Sequence, residues 1–228
     1  MPVQRSETQL QVNEKTANAY LAVPEEGGPG VLVLHAWWGL KPFFKQVCDQ
    51  LAEQGFTALA PDMYQGRIAT TIDEAEALLD QRDSEWMGDT VKAAKEYLAS
   101  LTPGKPIGVI GFSMGAAWAL IVAANEPDVS AVVLFYGPGE VDFSTVQAKV
   151  LGHFAEADEW ESLDYIKAME KDMKAAGVDV KLYFYPNAGH WFVEQDRPEY
   201  DPAAASLAWE RTFEFLHMSL RGVAPSVE

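Results

Sequence analysis

Two hydrophobic patterns divide the chain. Over residues 7–23 (ETQLQVNEKTANAYLAV) polar and apolar positions alternate, the period of half-buried strands, which predicts a β-hairpin at an exposed sheet edge. After a GGPG turn at 27–30 the alternation gives way to short continuous apolar runs: VLVL at 31–34, TALA at 57–60, IGVIG at 107–111, AVVLFYG at 131–137, KVLGHF at 149–154 and KLYFYP at 181–186. Runs of this kind suit strands buried on both faces, as in a parallel sheet. Segments of helical period lie between them, at 43–55, 72–83, 84–101, 165–177 and 202–220, with a further helix expected to begin at Met114. Gly55 closes the first, Thr70 and Thr71 are cap candidates for the second, and Ser84 opens the third. Strand–helix alternation predicts an α/β class: a mostly parallel central sheet flanked by helices, with an antiparallel edge hairpin at the N-terminal end. With no internal repeat, low-complexity tract or linker, 1–228 is expected to be a single domain.

Composition narrows the partners. Seventeen Lys and Arg against 34 Asp and Glu give a formal charge of −17, which opposes binding to phosphate backbones and anionic lipid headgroups. Neither nucleic acid nor a membrane is therefore expected as a partner. The one cysteine, Cys48, precludes an intramolecular disulfide and a thiolate metal cluster, and its helical neighbours Val47, Leu51 and Ala52 suit a buried thiol. No apolar run approaches the about 18 residues of a membrane span, and MPVQRSETQLQVNEK has no signal-like apolar core. A soluble, cytoplasmic protein is the expectation, as a monomer or small homo-oligomer.

In open parallel sheets ligands bind beyond the carboxyl ends of the strands. Those positions here hold His35-Ala36-Trp37-Trp38-Gly39, Pro61-Asp62, Ser113, Gly137-Pro138-Gly139, Glu156-Ala157-Asp158-Glu159 and Asn187-Ala188-Gly189-His190. GFSMG at 111–115 is a Gly-x-Ser-x-Gly pentapeptide between a strand run and a helix run, the setting of a nucleophile elbow. Small residues at 111 and 115 would also simply let strand and helix pack closely. The chemical reading gains weight from an acidic cluster and a histidine at two later strand ends.

A serine hydroxyl needs a base, and His190 follows the last strand on an Asn-Ala-Gly loop. His153, inside a strand run, and His217, on the final helix, read as structural, while His35 could orient the loop that follows it. Asp158 is the candidate third member, ahead of Glu156 and Glu159, and it preserves the Ser…Asp…His order that Asp62 would break. The backbone N–H groups of Met114 and Trp37 are the candidate oxyanion donors.

Five blocks, VLVLHAWWGL, GFTALAPDMYQGR, GVIGFSMGAAWAL, GHFAEADEW and YPNAGHWFVEQDRPEYDPAAASLAWERTFEFLH, make the chain resemble the dienelactone hydrolases over nearly its whole length. That resemblance implies an α/β-hydrolase fold and a hydrolase of esters or lactones working without metal or cofactor, its partner a small-molecule ester or lactone. Three departures stand out. The best-known members use a cysteine where this chain has Ser113, and carry a glutamate where it has Ala36. The dienelactone-cleaving members place a substrate-holding arginine four residues beyond the catalytic histidine, where this chain has Glu194. Exchanging a cation for an anion opposes an anionic substrate, so a serine esterase favouring small neutral esters is expected. The alternatives are a true dienelactone hydrolase in which Arg67, Arg82 or Arg197 supplies the anion site, and a catalytically silent small-molecule binding protein. Of the aromatic residues that could surround the serine (Trp37, Trp38, Phe43, Tyr64, Trp86, Tyr136, Trp191 and Phe192), Trp38, Phe43, Trp191 and Phe192 join Glu194 as the expected pocket lining.

Overall fold

The computed structural model describes residues 2–222. The described residues form eight strands and six α-helices, largely interleaved along the chain, and the backbone falls into two compact units that divide after Ile107.

The first unit opens on the expected hairpin. Strands β1 (Val3–Val12) and β2 (Lys15–Pro24) pair antiparallel from Val3↔Pro24 to Val12↔Lys15. Their connection is short enough to require Asn13 in the left-handed region, φ 51°, which asparagine tolerates better than most residues. β2 pairs antiparallel with β4 (Thr57–Pro61), which in turn runs parallel to β3 (Gly30–Leu34), giving the order β1-β2-β4-β3. Every residue of β3 and β4 is buried, as their unbroken apolar runs require.

Helix α1 (Pro42–Glu53) packs on β2 and β4 through Phe43, Phe44, Val47, Cys48, Leu51 and Ala52. The Cys48 thiol is inaccessible, and burial pushes its pKa well above the ordinary value. Helix α2 (Ile72–Asp80) starts with a capping box: the Thr71 hydroxyl accepts from Glu74 N–H, and the Glu74 carboxylate accepts from the N–H groups of Thr70 and Thr71. Helix α3 (Ser84–Leu101), capped by Asp83, covers β1, β3 and β4.

The second unit carries β5 (Ile107–Phe112), β6 (Val129–Phe135), β7 (Lys149–Ala155) and β8 (Val180–Tyr185) in that order. β6, β7 and β8 are parallel, with Phe135 opposite His153 and Ala155 opposite Tyr185, so their carboxyl ends finish almost level. Helix α4 (Met114–Asn125) packs on β6, α5 (Leu163–Ala175) on β8, and α6 (Pro202–Arg221) on β6 and β7. A short 3-10 turn at Phe143–Thr145, which the hydrophobic pattern does not announce, is capped by Asp142. No helix among the described residues is long and apolar enough to cross a membrane.

Candidate active site

Strand β5 ends at Phe112 and α4 begins at Met114, leaving Ser113 alone to turn the chain. It does so at φ 49°, ψ −115°, a conformation that costs a non-glycine residue about 1–3 kcal/mol and persists only where its surroundings impose it. Here they do. A Cβ on Gly111 would overlap the carbonyl oxygen of Gly115, so only glycine permits so tight a turn. The Ser113 N–H donates to Phe135 O at 2.9 Å, and Ser113 O accepts from Ala116 N–H at 2.8 Å.

The next strand end presses on the same atoms. A Cβ on Gly137 would overlap the Ser113 carbonyl group, so the chain leaving β6 lies directly against the serine backbone. Tyr136 precedes that contact at φ 39°, its N–H donating to His153 O at 2.8 Å.

Beyond β7, Asp158 folds its carboxylate back on its own loop. Oδ1 accepts from the N–H groups of Trp160 (2.8 Å) and Glu161 (3.0 Å), which leaves Oδ2 for His190 Nδ1 at 2.7 Å. The loop after β8 is tied down by Ala188 N–H to Tyr185 O and Phe192 N–H to Gly189 O, and Ala157 N–H reaches Ala188 O. It holds His190 Nε2 3.0 Å from Ser113 Oγ. Both Asp158 and His190 side chains are almost wholly buried. With its Nδ1–H donated to a carboxylate, the imidazole presents Nε2 as an acceptor, in reach of the serine proton. Of the acidic side chains near strand β7, the fold thus brings Asp158, rather than Glu156 or Glu159, to the imidazole. Glu161 lies close by; burial, and secondarily the Asp158 charge, lift its pKa to about 7.

The remaining histidines have other partners. His153 is fully buried, with Nδ1 on the Tyr185 hydroxyl at 2.8 Å and Nε2 on Thr212 Oγ1 at 3.0 Å; burial, reinforced by Arg211, lowers its pKa to about 3. His217 is buried on α6. His35, also buried, donates from Nδ1 to Ala36 O and accepts Met63 N–H at Nε2, bracing the turn after β3 against the one after β4. Asp62 accepts from the N–H groups of Tyr64 and Gly66 in that second turn.

A cavity of about 750 Å³ opens beside His190, lined among others by Glu159, Trp160, Trp191, Glu199 and Asp201. Trp191, expected from the sequence as pocket lining, is in its wall. Phe192 and Glu194 are not among its lining residues: both are fully buried, Phe192 against Tyr185 and Tyr136, and Glu194 accepting a 2.8 Å hydrogen bond from the Tyr136 hydroxyl. In the first unit, Trp37 and Trp38 stack edge to face after β3, Lys41 lies over Trp38, and Phe43 packs on Phe44. The Tyr136–Glu194 pair is an association at the site that sequence reasoning did not make. Both partners adjoin strand-end motifs, but nothing in the spacing of 136 and 194 links them.

A parallel-type sheet with an elbowed serine after β5, a carboxylate after β7 and a histidine after β8 defines an α/β-hydrolase. The model of the dienelactone hydrolase family matches residues 17–220, and the chain belongs to that family as a hydrolase. Protein usf of Aquifex pyrophilus is 34% identical over 91% of this chain and 95% of its own. An Aquifex aeolicus protein described as "Putative carboxymethylenebutenolidase" is 32% identical over 93% and 98%. Among solved structures, a dienelactone hydrolase-like promiscuous phosphotriesterase from metagenomic libraries superposes with a TM-score of 0.86 at 22% identity, covering 96% of this chain and all (100%) of that one. At that identity it speaks for the fold alone.

Proposed function

We propose that this hydrolase is a serine esterase or lactonase that works through Ser113, His190 and Asp158 and favours small neutral esters. The observation that carries the reading is the continuous hydrogen-bond chain from Asp158 Oδ2 through the imidazole to Ser113 Oγ, 2.7 and 3.0 Å long. His190 Nε2 takes the hydroxyl proton as Oγ attacks the ester carbonyl carbon, and Asp158 stabilises the imidazolium so formed. The Met114 N–H, at the first residue of α4, donates to the oxyanion. As the tetrahedral intermediate collapses, His190 returns the proton to the departing alcohol. Water, deprotonated by the same imidazole, then clears the acyl group from Ser113. Binding without turnover gives no reason for so complete a relay.

Preference for neutral substrates is supported by the carboxylates Glu159 and Asp201 along the cavity beside His190, whose lining among the described residues includes no lysine or arginine; the third lining carboxylate, Glu199, is paired with Arg197 at 3.5 Å. Two like charges about 4 Å apart repel by about 4 kcal/mol at an effective dielectric near 20, enough to favour a neutral ester strongly. The names of the carboxymethylenebutenolidase relatives favour a second reading, hydrolysis of an anionic dienelactone. Arg197, whose guanidinium lies 4.6 Å from the Trp191 ring centroid and 3.5 Å from the Glu199 carboxylate, would then exchange Glu199 for the substrate anion.

Paired rates on a neutral aryl acetate and a carboxylate-bearing dienelactone, with Ser113→Ala as control, decide between them. Faster ester cleavage that vanishes in Ser113→Ala is the expected result. Faster dienelactone cleavage establishes the second reading, and undiminished turnover by Ser113→Ala overturns the serine mechanism.

A further inference from the structure

Glu194 poses an energetic problem. A carboxylate with no exposed surface pays a desolvation penalty of several kcal/mol unless hydrogen bonds or charges offset it. Part of the compensation is the 2.8 Å bond from the Tyr136 hydroxyl, itself fully buried. Burial, followed by the Glu194 charge and this hydrogen bond, pushes the Tyr136 pKa well up, so the phenol keeps its proton and remains the donor.

What Tyr136 touches gives the pair its meaning. Its ring centroid lies 4.9 Å from that of His190, the planes tilted by 56°. Its backbone, at φ 39°, leads into Gly137, which abuts the Ser113 carbonyl. One residue therefore packs on the imidazole with its side chain and precedes the glycine that packs on the nucleophile, and Glu194 holds its far end.

We infer that Tyr136 and Glu194 act as one positioning unit for His190. Glu194, acting through the phenol, pins the Tyr136 ring against the imidazole and enriches that ring in electron density, which favours the imidazolium formed when Ser113 gives up its proton. An aromatic face attracts a cation within about 6 Å, and a carboxylate hydrogen-bonded to the phenol strengthens that field. The inference rests on His190 being the base. The other charged or titratable groups around it are Asp158 at Nδ1, Glu161 beside Asp158, Asp196 near Tyr136, and Arg197 over the neighbouring Trp191 ring. The substitutions below change Tyr136 and Glu194 and leave all four of these groups in place.

The test uses the full chain carrying Glu194→Gln, Tyr136→Phe, or both. The readouts are the pH dependence of kcat/KM on a neutral aryl ester, the separate kcat and KM, the melting temperature, and fluorophosphonate labelling of Ser113. Each single variant is expected to move the acidic limb to lower pH by about 0.5–1 unit. The same change in imidazolium stability lowers kcat about 3–10-fold, with KM nearly unchanged. The double variant should lose little more than either single one, as partners in one unit do. An unmoved limb alongside a lowered melting temperature overturns the inference, since it reduces the pair to packing. Should Glu194→Gln fail to fold, Tyr136→Phe, which keeps the ring, decides the question alone. Failure of the unaltered protein to label at Ser113 overturns the esterase reading instead, whereas labelling with an unmoved limb overturns this inference only.

Discussion

Replacing Gly137 with alanine places a methyl group inside the carbonyl of the residue that carries the nucleophile. The three atoms it would meet are Ser113 O, C and Cα, all backbone, so no rotamer change can make room. The overlap must be relieved by moving the elbow or the chain after β6. Overpacking of this kind costs typically about 1–3 kcal/mol of stability, which leaves a folded protein if its reserve is ordinary. The catalytic cost should be larger. Ser113 Oγ sits 3.0 Å from His190 Nε2, and a shift near 1 Å takes that pair out of hydrogen-bond range, which lowers rate by about 100-fold. Gly139→Ala is the matched comparison. Its added Cβ would lie 3.0 Å from Ala117 Cα and 3.1 Å from Leu120 Cδ1, contacts that small shifts relieve, so activity should fall by less than about 5-fold. The assay is kcat/KM on an aryl acetate, with circular dichroism and urea melts confirming a folded chain. Gly137→Ala retaining activity within about 3-fold of the unaltered enzyme would refute the argument that the β6 end buttresses the serine.

Two further outcomes follow from the same geometry. Asp158→Asn should preserve the fold but lower kcat by about 10²–10⁴-fold, because an amide neither fixes the Nδ1–H tautomer nor stabilises the imidazolium; stopped assays on the purified variant check it. His153 is held neutral, with a folded pKa of about 3 against 6.5 for an exposed histidine, so acid favours the unfolded chain. Its contribution to stability is full above pH 6.5 and is lost progressively between pH 6.5 and 3, at up to about 1.4 kcal/mol per pH unit. Urea melts of the native chain and His153→Gln should therefore converge as pH falls through that window, and parallel curves would contradict the assignment.

Much of this protein could be read along the chain because its information is local. The apolar runs VLVL and AVVLF predict buried strands, since a segment covered on both faces has no polar side to show, and both lie in strands in the structure. Helix starts were legible where capping chemistry marks them, as at Thr71; α3 begins at Ser84 as expected, although the side chain that caps it is that of Asp83. The elbow was legible for the same reason: the glycine at 111, whose Cβ would overlap the carbonyl oxygen of residue 115, answers a steric demand made within five residues. The 3-10 turn at Phe143–Thr145 escaped because three residues carry no period.

Selection among chemically equivalent residues needed three dimensions. Glu156, Asp158 and Glu159 offer the same carboxylate within four positions, and only the loop's hydrogen bonds to Trp160 and Glu161 aim one of them at His190. Glu194 reads in sequence as a pocket charge four residues past the histidine, yet the fold turns it inward to Tyr136, 58 positions away. Backbone sterics and hydrophobic period act over a few residues and so are written in the sequence. Which side chains meet across loops depends on register and burial summed over the whole sheet, and only the folded chain supplies that.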